Sequence, residues 1–135
     1  MEIKFNKPYL TGNELKYIKK SISRNGLCGD GYFTEKVNKF IEREFKTEKA
    51  LLTTSCTHAL EMASLLIDLG PGDEVIVPSY TFVSTVNPVL LRGATPVFAE
   101  IKEDTLNIDP DDIKDKITDK TKAIIPVHYA GVGCE

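Results

Sequence analysis

The strongest constraint in this sequence is an alternation of two patterns. Four short, near-continuous apolar runs recur along the chain: Leu51-Leu52-Thr53, Glu74-Val75-Ile76-Val77, Pro96-Val97-Phe98-Ala99-Glu100-Ile101 and Ala123-Ile124-Ile125-Pro126-Val127. Each has the length of a strand, and helix-patterned segments or helix start signals separate them. Strands that are apolar at successive positions are buried on both faces, and crossover helices between them demand parallel pairing. The expected fold class is α/β, a parallel-rich sheet with helices on both faces.

Two helices are expected ahead of the first run. Thr11-Gly12-Asn13-Glu14 reads as a capping box with Thr11 as N-cap, and Leu15, Ile18 and Ile22 follow at helical spacing. Asn25-Gly26 ends this helix, and Gly26 to Gly31 forms a flexible loop. A second helix starts near Thr34 and carries Val37, Phe40, Ile41 and Phe45 on one face. After the first run, Ala59, Leu60, Ala63, Leu66 and Ile67 predict a helix over about 57–69, broken by Gly70-Pro71-Gly72-Asp73. A further short helix spans roughly 82–91, kinked or shortened by Pro88 and closed by Gly93. Asp109-Pro110 supplies a capping carboxylate and a proline suited to the first helical position. The chain therefore divides into a helical segment, 1–47, and alternating strand-helix units, 48–135.

Composition excludes several classes of function. With 41% apolar residues among 135, a core can be buried. The 20 acids and 17 bases give a net charge of −3 and are mixed along the chain, so there is no footprint for nucleic acid or an anionic membrane. No apolar run approaches the roughly 20 residues that span a bilayer. Met1 to Lys7 lacks the apolar stretch of a signal peptide. Cys28, Cys56 and Cys134 are odd in number and widely spaced, which indicates neither a disulfide framework nor a zinc ribbon. These features point to a cytoplasmic protein. Cys56, His58, His128 and Cys134 could be gathered around a metal, but the paired short spacings of structural zinc sites are missing, and no metal is expected.

Chemistry in open α/β sheets sits beyond the carboxyl ends of strands, where helix amino termini present unpaired N–H groups. The first such end is Thr53-Thr54-Ser55-Cys56-Thr57-His58-Ala59. Backbone N–H groups of Cys56 and Thr57 would face an anion there, although the turn can equally be an ordinary Ser/Thr helix cap. A phosphate loop of the GxxxxGK[ST] type is absent, and the glycines at 26, 29 and 31 follow a helix rather than a strand. In the second end, Pro78 to Thr85, Phe82 either stacks on a planar ring or fills core. At the last, His128 in Pro126-Val127-His128-Tyr129-Ala130-Gly131 either touches a ligand or satisfies a backbone carbonyl.

Taken together, these turns are more specific than any one of them. Ser55 to Leu60, Gly72 to Thr85 and Pro126 to Gly131 resemble the nucleotide-sugar aminotransferases of the DegT/DnrJ/EryC1/StrS family. Pro8 to Glu14 and Leu27-Cys28-Gly29-Asp30-Gly31 look like that family's entry segment and substrate-side loop. The resemblance implies the fold type I of aminotransferases dependent on pyridoxal 5'-phosphate (PLP). It puts Cys56 and Thr57 where relatives hold the PLP phosphate and Phe82 where an aromatic stacks on the pyridine ring. Many relatives carry Gly or Ala where Cys56 stands, a change that contact through backbone N–H tolerates. The Leu27–Gly31 loop and the His128 region would lie near the sugar.

Within the family, the Leu27–Gly31 loop and the Pro78–Thr85 turn are most similar to members that transfer an amino group from glutamate to a dTDP-4-dehydro-6-deoxyhexose. The resemblance implies ping-pong transamination, a lysine bonded to the cofactor, an aspartate on its pyridinium nitrogen, and a homodimer. Both residues are expected beyond Glu135, so no catalytic residue is assigned, and these 135 residues alone are expected to be inactive. The resemblance also implies that strands later in the sequence would neighbour Leu51-Leu52-Thr53, leaving that run unpaired and the isolated chain unstable. Two other readings remain open: a PLP-dependent sugar dehydratase of the same family, and a non-catalytic α/β module that binds a phosphorylated ligand.

Overall fold

The computed structural model describes residues 6–24, 27 and 29–135. Asn25, Gly26 and Cys28, and with them part of the expected loop, lie outside the described residues, as do residues 1–5. The chain forms two compact units, Met1–Leu52 and Thr53–Glu135.

The first unit holds helix α1, Glu14–Ser23, and helix α2, Tyr32–Phe45. The expected capping box forms in part. Glu14 reaches back to accept from the Thr11 N–H at 2.7 Å and hydroxyl at 2.9 Å. Thr11 Oγ1 accepts from the Asn13 N–H at 3.2 Å, and Asn13, not Thr11, occupies the N-cap. Its own backbone N–H, followed by these two Thr11 donors, holds the Glu14 carboxyl below its usual range. Helix α2 starts at Tyr32, two residues earlier than Thr34, with Gly31 as its cap. Neither helix fully buries a residue; Leu15, Ile18, Ile22, Phe40 and Phe45 all remain exposed. The apolar faces are present as the spacing predicted, but within this chain they have little to pack against.

Leu51-Leu52-Thr53 forms no strand, contrary to the sequence pattern. The Leu52 N–H donates to Asn38 Oδ1 at 2.9 Å and the Ala50 N–H to Glu42 Oε1 at 3.1 Å. Side chains of α2 thus take the backbone donors at 50 and 52, and no ladder forms there.

The second unit begins with helix α3, Cys56–Leu66. It ends three residues before the predicted Leu69, and the buried Leu69 instead joins the core beneath the loop. Strand β1, Glu74–Pro78, is followed by a 3-10 turn, Val83–Thr85, and helix α4, Asn87–Leu91. Pro88 does not kink a longer helix. It sits in the first turn of α4, where its missing N–H costs nothing. Gly93 follows with φ +75°, and a Cβ there would lie 3.2 Å from Pro71 Cγ, so both conformation and space call for glycine.

Strand β2, Thr95–Ala99, helix α5, Pro110–Lys116, and strand β3, Thr121–Ile124, complete the unit. The α5 start is as predicted, with the Asp109 side chain accepting from the Asp111 N–H at 2.9 Å. Strand β3 starts two residues before Ala123 and ends at Ile124, although the Ile125 N–H still reaches the Ile76 carbonyl at 2.9 Å.

The sheet is parallel, in the order β2-β1-β3. Central β1 pairs Ile76 with Val97 on one side and Ile124 on the other. Its pleat splits the core between two faces. Val75 and Val77 pack with Leu69, Val89 and Ala94, while Ile76 packs with Ala99 and Ile108. At the amino edge of the sheet, Lys122 Nζ bonds Asp73 Oδ2 at 2.9 Å and the Asp68 carbonyl at 2.6 Å. Asp73 also accepts from the Gly70 N–H at 2.9 Å.

Two predictions follow from this packing. The Lys122 ammonium, followed by the Gly70 N–H, holds the Asp73 carboxyl below its usual range. A depressed folded pKa contributes stability above the unfolded value of about 3.9, and that contribution is lost as pH falls through the folded pKa. In urea titrations, the advantage of the unsubstituted chain over Asp73→Asn should hold near neutral pH and vanish in acid. An advantage independent of pH would contradict this. Second, exposed Leu, Ile and Phe on α1 and α2 should drive self-association of the purified chain. Sedimentation velocity should show mass rising with concentration; a monomer with one sharp, cooperative melt would refute it.

Candidate functional site

The turn into α3 is built by short hydroxyl side chains. Ser55 is extended (φ −159°, ψ 160°), and its Oγ accepts from the His58 N–H at 3.1 Å. The first helical bond follows, from the Ala59 N–H to the Ser55 carbonyl at 3.1 Å. The amides of Cys56 and Thr57 precede both bonds and stand in the first turn, where a helix has no internal acceptor for them. Cys56 is exposed and Thr57 half-buried. Thr53 Oγ1 donates to the Ser55 carbonyl at 2.8 Å, and Thr54 Oγ1 lies 2.6 Å from His58 Nδ1. The N-cap reading and the anion reading are therefore compatible. Ser55 supplies the cap for one amide and leaves two at the positive end of the helix dipole.

Helix α3 runs from this turn toward Leu69 and Asp73, which lead into the amino end of β1. Eleven helical residues span roughly 16 Å and five strand residues about the same, so the turn belongs at the carboxyl edge of the sheet. The Pro78–Thr85 segment leaves from that edge as well. There the Ser79 N–H donates to the Ala99 carbonyl at 2.8 Å, and Thr81 and Thr85 hydroxyls are 2.7 Å apart. Phe82 is extended and caps the 3-10 turn, which packs against α3. With 75% of its surface exposed, Phe82 is not a core residue in this chain. The reading that assigned it to the core is excluded, and its ring face is available.

The loop after β3 joins the same edge. Tyr129 and Tyr80 hydroxyls lie 3.1 Å apart, with ring centroids 5.1 Å apart and tilted at 49°. The bond to Tyr80 raises the Tyr129 phenol above the usual tyrosine range. Buried Asn107 braces this loop: its Oδ1 accepts from the Tyr129 N–H at 2.9 Å, and its Nδ2 donates to the Val132 and Gly133 carbonyls at 3.1 Å each. His128 does not satisfy a carbonyl. Its Nδ1 accepts from the Cys134 N–H at 3.0 Å, which leaves Nε2 to carry the proton of the neutral ring. Sequence reasoning missed Asn107. The sequence carries no local sign of it, because its three partners come from a loop more than 20 residues away.

His128 and Cys134 meet through the Cys134 amide, but among the described residues no three His, Cys, Asp or Glu side chains gather as a metal site. First-turn amides of α3, an exposed ring and a polar loop thus share one edge of a parallel sheet.

Solved aminotransferases have this architecture. The Streptococcus pneumoniae protein Spr1654, described as a sugar aminotransferase, matches the whole chain at 36% identity and a TM-score of 0.88 in its PMP form. Its PLP form matches at 0.85, and this chain covers 34% of either structure. The class is that of PLP-dependent aminotransferases. The sequence pattern of the DegT/DnrJ/EryC1/StrS aminotransferase family matches residues 8–135, and the chain belongs to that family. GDP-perosamine synthase of Vibrio cholerae is 37% identical over 95% of this chain. Spore coat polysaccharide biosynthesis protein SpsC of Bacillus subtilis is 47% identical over 74% of it. The chain spans only 35% and 26% of the lengths of these two relatives. Among the described residues, no helix is long and apolar enough to cross a membrane.

The geometry yields a spectroscopic and a stability prediction. A raised phenol pKa means that the neutral form is favoured in the folded state. Its contribution is complete below the unfolded value of about 10 and is lost as pH rises through the folded pKa. Tyr80→Phe should therefore lower the Tyr129 titration midpoint followed by phenolate absorbance. Ser55→Ala should cost about 0.5–2 kcal/mol of stability, measured by urea unfolding, because the His58 amide loses its cap.

Proposed function

We propose that this chain carries the cofactor-phosphate side of a PLP-dependent sugar aminotransferase. The observation that bears most weight is the α3 turn. Ser55 satisfies the His58 amide and leaves those of Cys56 and Thr57 open to an anion. The residues present fit the group: two uncommitted amides and the half-buried Thr57 for its phosphate, and the exposed Phe82 for its ring. PLP, when bound, supplies an electron sink for amino-group transfer. Cys56 contributes through its main chain and Thr57 through both its amide and its hydroxyl. Phe82 orients a ring and shields one of its faces from water.

The substrate reading is a nucleotide sugar. The resemblance of Leu27–Gly31 and Pro78–Thr85 supports a dTDP-4-dehydro-6-deoxyhexose with glutamate as amino donor, within a homodimer in the cytoplasm. One relative is named for a GDP-linked sugar and another for polysaccharide biosynthesis, which supports the sugar class.

We further infer that these 135 residues alone transfer no amino group. The lysines of the second unit are engaged or lie elsewhere. Lys122 and Lys120 are at the amino edge, Lys114 and Lys116 pair with Asp111 and Asp112 on α5, and Lys102 pairs with Glu135.

Pyridoxamine 5'-phosphate tests the phosphate turn directly, because it is fluorescent and needs no lysine. The 135-residue chain should bind it, and Thr57→Ala should weaken binding about tenfold or more, as expected for losing a hydrogen bond to a charged group. Equal affinity in the variant would overturn the assignment. Incubation of the chain with PLP, glutamate and the keto-sugar should give no amino sugar by mass spectrometry, and a product would overturn the inference of inactivity.

A further inference from the structure

Three-quarters of the Phe82 surface is exposed, so little of its ring is held by packing. A ring that stacks on a ligand with useful affinity must be held by its backbone, or binding has to order it first. The segment that carries it is tethered at Ser79, by the bond to Ala99, and at Thr81, by the bond to Thr85. Between these, Tyr80 reaches out of its own loop to Tyr129, 49 residues away in sequence. Tyr129 is the better anchored of the two. Its amide is bonded to Asn107, which is 3% exposed, and the turn it opens has Ala130 at φ 52° and Gly131 at φ 83°. The Gly131 N–H closes onto the His128 carbonyl at 3.1 Å, and Cys134 bonds both His128 Nδ1 and the Val127 carbonyl. The loop after β3 is therefore a braced frame, and the loop after β1 leans on it through two phenols.

We propose that Tyr129 is a positioning residue for ring recognition. Through Tyr80 it sets the course of the segment that presents Phe82, so the loop after β3 pre-orders a stacking surface that it does not itself provide. This rests on the proposed PLP reading of the site. It adds that the ring side and the phosphate side of the site are separately controlled, the first by the Tyr80–Tyr129 contact and the second by the α3 turn.

The test compares two probes on the 135-residue chain, inorganic phosphate and pyridoxamine 5'-phosphate. Phosphate affinity reports the α3 turn, and the gain of pyridoxamine phosphate over phosphate reports the ring side. Tyr129→Phe and Tyr80→Phe each keep a ring and lose a hydroxyl. Either should reduce that gain about two- to tenfold, the range of one net hydrogen bond, with phosphate affinity unchanged. The double variant should lose no more than either single one, because both remove the same bond. Quenching of pyridoxamine fluorescence on binding should fall in the same variants. A gain that depends on Phe82, seen as its loss in Phe82→Ala, but that survives both tyrosine substitutions would overturn the inference and leave the PLP reading intact. A chain that binds neither probe would overturn both. If a Phe variant unfolds, Asn107→Asp in the otherwise unsubstituted chain replaces it: this keeps the acceptor for the Tyr129 amide, loses the donors to Val132 and Gly133, and should lower the same gain. An unchanged gain there counts against the proposal.

Discussion

The parallel pairing of β1 on both sides is the interaction on which the rest of the second unit depends. Val75, Ile76, Val77 and Pro78 are essentially inaccessible to solvent, and β1 is the one strand that touches both others. Its pleat sends Val75 and Val77 to one core and Ile76 to the other. Helix α4 and the Leu69 segment cover the first face, and α5 with the Ile108 loop covers the second. Truncating Ile76 to Ala would remove its packing against Val97 and Ala99 of β2 and against Ile108 and Ile113, in the range of about 2–5 kcal/mol for such core changes. Because β1 is fixed by both edges and both faces, the segment leaving it at Pro78 emerges at a defined place. The candidate site is assembled around that exit.

Much of this was legible in the sequence, and the reasons are physical. An unbroken run such as Val75-Ile76-Val77 can hardly be anything but a strand buried on both faces. Asp109-Pro110 and Gly93 declare helix boundaries through backbone preferences that act locally. Where sequence reasoning failed, the deciding contact was not local. Leu51-Leu52-Thr53 has strand composition, yet a ladder needs a partner, and here Asn38 takes the Leu52 donor and Glu42 that of neighbouring Ala50. The apolar faces of α1 and α2 were read correctly as patterns, but a pattern states what a helix offers and not whether anything takes it. The β3 boundaries differ by two or three residues at each end, where its pairing with β1 is irregular at Glu74/Val75 and thins to the Ile125–Ile76 bond.

The site divides in the same way. The place of Cys56 and Thr57 in the first turn of α3 was readable because helix capping is a short-range rule. Phe82 was undecided on local evidence; its exposure removed the core reading. The contact between Tyr80 and Tyr129 was invisible in either segment alone. It joins loops from two different strands, and only the order β2-β1-β3 makes those strands neighbours. Asn107 acts at a third position, where one buried amide side chain serves three backbone groups at once. Such a residue looks like any loop asparagine until the fold shows what surrounds it.

The Ser55 cap has a consequence for how the α3 turn behaves in different media. In the proposed reading, two peptide groups, rather than lysines or arginines, would form its anion-facing surface. Peptide N–H groups do not ionise across the range in which proteins function, so this surface has no protonation state of its own. The attraction also acts through aligned dipoles and short-range bonds rather than net charge, so an acidic chain can hold a dianion without becoming a general trap for polyanions.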